Sequence, residues 1–195
     1  MKTVIALTAA LLTGSCTPSN SQTITLHSDW VTYQRQYTPL SSVVAAFVTP
    51  TEDEDDTMMF HCERMGEDYA VWFGVALPNV ENDADQEGFY GLATAEHNIP
   101  DFGGRFQFKD ATGQLHEIVV HSVAMPNGTP MVATSDVEDI ALLQHTLSAR
   151  SGLVEFVWLN IFDQSDSFAT FTVSASGATA AIGQFTKECT NEASY

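Results

Sequence analysis

Basic side chains are scarce in this 195-residue chain: seven Lys and Arg stand against 25 Asp and Glu, for a formal charge of −18. Nucleic acids and anionic lipid surfaces are held by Lys and Arg that neutralise phosphates, so neither is an expected partner. Long apolar runs are missing as well. Charges, Gly or Pro interrupt every apolar stretch well short of the ~20 residues a membrane-spanning helix requires. The expectation is a chain that is soluble or merely tethered, touching a membrane only through a lipid anchor. Gly-x-Ser-x-Gly, the turn that presents the serine of an α/β-hydrolase, does not occur. Glycine-rich phosphate loops are absent too. There is no internal repeat and no linker-like break that would mark a second domain. Cysteine is rare, with Cys16, Cys62 and Cys189 making three.

The odd cysteine count becomes informative beside the N-terminal residues. Met1-Lys2 precedes an apolar run from Thr3 to Leu12, then Thr13-Gly14-Ser15 and Cys16. One cation, a short apolar stretch and small residues at its end form the pattern of a secretory signal peptide, assigned to residues 1–15. Cys16 stands where a lipoprotein cysteine would stand, and Thr-Pro-Ser-Asn-Ser-Gln after it suits a flexible tether over residues 16–22. Ordinary cleavage nearby is the alternative. Lipidation of Cys16 would leave Cys62 and Cys189 to pair in an oxidising compartment. The phases of their segments agree. Cys62 shares a strand face with Met58 and Phe60, and Cys189 follows Ile182 and Phe185 on one helical stripe.

Twelve Phe, three Trp and five Tyr supply ample surface for a core despite the charge. From Thr23 onward short β-like runs alternate with turn residues: Thr23–His27, Trp30–Tyr37, Val43–Val48 and Met58–Arg64. The five acids 52–56 read as a solvated loop. Tyr69–Leu77 is apolar on both faces, as in a central strand covered from both sides. Arg105–Lys109 and Leu115–Ala124 form a hairpin around Asp110 to Gly113, and Met131–Thr134 is a further short strand. Ser135 with Glu138 resembles a capping box, opening a helix with Val137, Ile140, Leu143 and Leu147 at helical spacing. Leu153–Phe162 and Phe168–Ala175 are strands, and a last helix runs from Ser176 or Gly177 to Cys189. Residues 23–195 are therefore expected to form one α+β domain: mainly antiparallel β-sheet or sandwich, roughly seven to ten strands by the layer rule, with two packed helices and the C-terminal one tied by a disulfide.

Chemistry is harder to find. His116-Glu117-Ile-Val-Val-His121 sets its histidines five positions apart, where a helical zinc site needs them four apart, so a zinc site is not expected. Paired carboxylates occur throughout so acidic a chain and select nothing. Asp83, Asp85, Glu87 and Gly88 match the opening of a calcium loop, with oxygen ligands at alternate positions before a glycine turn. The closing Glu of an EF-hand is replaced by Thr94. No catalytic residue is assigned. Three classes remain: an envelope protein with an interaction or assembly role, a binding module for calcium or a basic ligand, and an enzyme of unrecognised type.

Asp29-Trp30, Met58-Met59-Phe60-His61-Cys62 and Tyr69–Leu77 resemble segments of the VasI-type family of periplasmic accessory proteins of type VI secretion. The tail is the most similar part: Leu142–Leu147, Val154–Trp158, and Ala169 to Gly177 running through Ala181 and Phe185 to Cys189. The resemblance spans about 150 residues by the layout of these segments. It implies a non-enzymatic envelope protein with a protein partner, and no catalytic residue.

If Asp83, Asp85 and Glu87 hold calcium in the folded state alone, millimolar calcium will raise the melting temperature and magnesium will not. Equal melting in the two salts would reduce the segment to a solvated acidic loop.

Overall fold

The computed structural model of the chain describes residues 21–38, 41–51, 56–66, 68–76, 104–124, 130–159 and 167–190. Cys16 and the acidic group Asp83, Asp85 and Glu87 lie outside the described residues, as do Pro78–Gly103 and 160–166. In chain order the elements are β1 (Ser21–His27), β2 (Trp30–Thr38), β3 (Ser41–Val48), β4 (Thr57–Met65) and β5 (Asp68–Ala76). There follow β6 (Arg105–Lys109), β7 (Leu115–Val119), β8 (His121–Ala124), β9 (Pro130–Thr134) and α1 (Val137–Ala149). The chain closes with β10 (Leu153–Leu159), β11 (Ser167–Ser174) and α2 (Ala178–Thr190).

Two sheets result. Seven strands run in the order β1-β2-β3-β4-β5-β9-β8, and four in the order β11-β10-β6-β7. Every pairing is antiparallel. Neighbours in sequence are mostly neighbours in space, as short hairpin connections dictate. The expected α+β architecture of antiparallel sheets with two helices is present, with eleven strands among the described residues.

The extra strand arises where one was expected. Leu115–Ala124 is not continuous: β7 belongs to the small sheet and β8 to the large one. Val120, fully buried, is the corner between them, and its amide donates to the Gly104 carbonyl at 3.1 Å. A run of apolar residues cannot reveal which sheet each half will join, because both halves alternate alike.

The inner faces of the two sheets meet through phenylalanines. Phe73 of the large sheet lies 6.4 Å from Phe106 and 6.3 Å from Phe156 of the small one, centroid to centroid. Beside the small sheet, α2 covers the rest of the same inner face, with Phe185 5.9 Å from Phe60. Ala178, Ala181, Ile182, Phe185 and Cys189 are buried, so the stripe expected for this helix is the stripe it uses. Gly177 is required at its start. Its φ is +88°, and a Cβ there would drive into the His27 carbonyl of the β1–β2 turn. That turn is stitched to the helix start by the Asp29 amide on the Ser176 carbonyl (3.3 Å) and by a Ser28–Ser176 hydroxyl pair (2.8 Å).

Cys62 and Cys189 form a disulfide, Cα atoms 5.9 Å apart, joining the inner face of β4 to the end of α2. Strand alternation also holds for Met58, Phe60 and Cys62, all buried.

Four local expectations need correction. Asp136, not Ser135, is the N-cap of α1, its carboxylate accepting from the Glu138 and Asp139 amides at 2.9 and 3.0 Å. An ionised carboxylate is a stronger acceptor than a hydroxyl and complements the helix dipole. Val137 is therefore the first helical residue and points to solvent, 78% exposed, while Ile140, Leu143 and Leu147 face the core. Asp56, placed in the solvated acidic run, is buried at the entry to β4. Only the second half of the strand at Tyr69 is covered on both sides: Phe73 to Ala76 are buried, whereas Tyr69 is 60% exposed.

The bridge closes a loop with a sequence separation of 127 residues. Chain entropy alone predicts about 4 to 5 kcal/mol for such a loop, and measured bridges more often give about 2 to 4 kcal/mol. Replacing both cysteines by Ala should lower the unfolding free energy in urea by about that smaller amount. Alkylation of the unreduced, denatured protein should leave Cys62 and Cys189 unlabelled. Label on both would disprove the bridge.

Candidate functional site

Side chains alternate across a strand, so each buried row on the large sheet implies a row on its opposite face. On the small sheet that outward face is mostly polar, with Leu115 and Leu153 the large apolar side chains exposed on it. Arg105 pairs with Glu117 at 3.4 Å, Gln107 donates to Glu117 at 3.0 Å, and Thr170 is exposed. This is the usual antiparallel pattern, apolar inside and polar outside.

The large sheet departs from it. Its register lines up Ile24, Tyr33, Ala45, His61 and Trp72 across β1 to β5, directly opposite one another strand by strand. The adjacent row holds Leu26, Val31, Phe47, Met59 and Gly74, and continues through Ala133 to His121. On the other side lie Arg35, Val43, Glu63 and Ala70. All these residues point away from Phe60, Phe73 and α2. Five of the nine exposed large apolar residues among those described project from this face: Ile24, Leu26, Tyr37, Met65 and Val123. Ile24 and Leu26 are 59% and 75% exposed. Scattered apolar side chains need no explanation, but this concentration on one sheet face does.

Toward β9 and β8 the face deepens into a groove of about 660 Å³, lined by Tyr37, Val43, His61, Glu63, Trp72 and Met131 among others. The His61 ring stacks on Trp72, centroids 4.4 Å apart and planes within 14°. Burial holds the His61 imidazole below its ordinary value of 6.5, and the Glu63 carboxylate opposes that shift. The ring is thus neutral near pH 7 and behaves as part of the aromatic wall. Arg35 lies over the Tyr37 ring at 4.8 Å, a cation–π contact that orders its guanidinium at the groove's rim. Such a surface can bind. Among the described residues it offers apolar area, the Tyr37 and Trp72 rings, the His61 and His121 imidazoles, the Thr134 and Ser135 side chains and the Glu63 carboxylate.

The histidines of the failed zinc pattern part company. His116 hydrogen-bonds the Asp110 carboxylate at 3.0 Å in the β6–β7 turn, while His121 sits on the large sheet beside the groove. The Thr112 hydroxyl also donates to Asp110, so it locks the turn and is not aligned by the imidazole. Thr112 first, then His116 and the backbone amides of Gln114 and Thr112, hold the Asp110 carboxyl well below the usual carboxylate range. Among the described residues no group of three His, Cys, Asp or Glu side chains is placed to hold a metal ion. None of the described helices is long and apolar enough to cross a membrane.

The outward apolar face was not among the sites expected from sequence. Its signal was present in Val43–Val48 and Tyr69–Leu77, where both alternating sets are apolar. No protein-family model, curated protein or solved structure matches this chain.

Because the unfolded chain binds the His61 proton more readily than the folded one, neutral His61 favours folding above its ordinary value. That contribution is lost as pH falls through 6.5 toward the folded value. An NMR titration of the His61 ring should give a midpoint below 6.5, lowered further by Glu63→Gln. A midpoint above 6.5 would contradict the burial of this ring.

Proposed function

We propose that the protein is an exported, lipid-anchored envelope protein with a non-enzymatic interaction or assembly role, exercised through the outward face of its seven-stranded sheet. The observation that carries this is the pair of apolar rows crossing β1 to β5 on the side away from the core. Sheet faces left to water are ordinarily polar, whereas this one carries five of the nine large apolar side chains exposed among the described residues. A face that keeps Ile24, Leu26, Phe47 and Met59 outward gains by burying them against a partner.

Export through residues 1–15 and anchoring at Cys16 are supported by the signal-like pattern and by the Cys62–Cys189 bridge, which suits an oxidising compartment. The expected tether of residues 16–22 is shortened by β1, which already takes in Ser21 and Gln22; a tether ahead of β1 would leave the domain free to present its face to another envelope protein. A secretion-accessory role is what the resemblance to the VasI-type family adds.

Two measurements test this. Mass spectrometry of the membrane fraction should find diacylglycerol on Cys16, and Cys16→Ser should release the protein. Separately, a photo-crosslinking side chain at Phe47 or Met59 should give a discrete protein adduct in cells, whereas one at Thr170 should give none. Equal adduct formation at all three positions would overturn the assignment of this face.

A further inference from the structure

The negative charge of this chain is not spread evenly. Asp29 is the one acid before residue 52, and the other 24 come after it. Lys2 and Arg35 are the cations of that first stretch, so all of the net negative charge lies in residues 52–195. Strands β1 to β3 come from the neutral stretch, and β1 is an edge of the large sheet. None of its seven residues is charged. Its outward side chains are Gln22, Ile24 and Leu26, the last two 59% and 75% exposed. Opposite Gln22 stands Arg35, its guanidinium over the Tyr37 ring. On the inner side α2 brings Glu188, which accepts from Gln34 at 3.3 Å, together with Lys187. The β1 edge therefore joins exposed apolar side chains to the part of the chain that contributes almost no acid.

Position along the chain names what covers this edge. Strand β1 starts at Ser21, five residues after Cys16. Five residues reach at most about 18 Å when fully extended. Acyl chains on Cys16 lie in the bilayer, so they hold the start of β1 within about that distance of the lipid surface. A folded partner of about 100 residues, with a radius of gyration of about 13 Å, is too wide for such a gap. We propose that the β1 edge of the outward face rests on the membrane in which Cys16 is anchored, with Ile24 and Leu26 seated among the lipid headgroups. The inference rests on the acylation of Cys16 proposed above and says which part of the domain the anchor brings down. Phe47 and Met59, farther from the tether on β3 and β4, remain for the protein partner.

Charge sets the orientation. A chain carrying −18 is repelled as a whole by anionic headgroups, but the repulsion acts on residues 52–195 and turns the uncharged edge toward the lipid. Acids held farther than about 8 Å from the surface are screened at physiological ionic strength. Arg35, at the tethered end of β1, meets lipid phosphate there. Ile24 and Leu26 leave water for the apolar boundary beneath the headgroups. Two such side chains bind a bilayer weakly by themselves. A short tether supplies them at an effective concentration on the order of millimolar, at which weak contacts are occupied.

The acylated full chain in vesicles of phosphatidylethanolamine and phosphatidylglycerol supplies the test. With Cys16 acylated and Cys62 bridged to Cys189, Leu26→Cys introduces a single free thiol to carry a nitroxide. On vesicles that label should lose its accessibility to a water-soluble nickel chelate and gain accessibility to oxygen. A label at Thr170→Cys should keep its solution values. With Gln22→Cys as the reporter, Ile24→Asp combined with Leu26→Asp should restore access of the chelate while Cys16 still holds the protein on the vesicle. All these positions are exposed, so circular dichroism should not change. In cells, a photo-crosslinking side chain at Leu26 should label phospholipid. A Leu26 label as open to the chelate on vesicles as the one at Thr170 would overturn the proposal and leave acylation and docking at Phe47 and Met59 standing. A discrete protein adduct at Leu26 in place of phospholipid would overturn it as well, giving β1 to the protein partner. An unacylated Cys16 would remove the anchor itself, and this contact with it.

Discussion

Phe60 is the ring on which the layers of this protein converge. It packs 6.3 Å from Trp30, 4.9 Å from Phe73 and 5.9 Å from Phe185, and so touches two strands of its own sheet and the helix above them. Through Phe73 the contact passes to Phe106 and Phe156 in the second sheet. Such aromatic pairs add to the burial of large apolar areas, so this chain of rings dominates the core. Two residues along the same strand, Cys62 ties α2 to the sheet covalently. Strand β4 thereby settles which face of the large sheet is inside.

That decision has a consequence for the opposite face. Once Met58, Phe60 and Cys62 turn inward, Met59, His61 and Glu63 must turn outward, because a strand's period is two. Neighbouring strands held in register then assemble Tyr33, Ala45 and Trp72 beside His61. The outward surface is thus organised by the same hydrogen-bond ladder that organises the core. Its stacked His61–Trp72 pair and its Arg35–Tyr37 contact stiffen it, and a stiff face pays less entropy on docking.

The helices show how local chemistry and tertiary packing divide the work. Asp136 ends the approach to α1 by capping two amides, a purely local arrangement. The seat of α2 is different. Its start depends on Gly177 admitting the β1–β2 turn, and Trp30 is held by its Nε1 donating to the Ser174 carbonyl at 2.7 Å. Residues some 144 positions apart in sequence meet there, so no window of local pattern contains both partners.

What the sequence by itself determined is whatever rests on period and parity. Alternation placed Met58, Phe60 and Cys62 on one buried face, and helical spacing placed Ile182, Phe185 and Cys189 on another. The leftover cysteine made their pairing the natural expectation. Both features are short-range, because they depend only on where successive side chains point. The tertiary structure alone decided that Leu115–Ala124 breaks at Val120 into two sheets, since that choice depends on where β6 and β9 lie. It alone assembled the outward rows as well. Ile24, Tyr33, Ala45, His61 and Trp72 are single apolar or aromatic residues on five separate strands, and only the register of four hydrogen-bonded ladders makes them one surface.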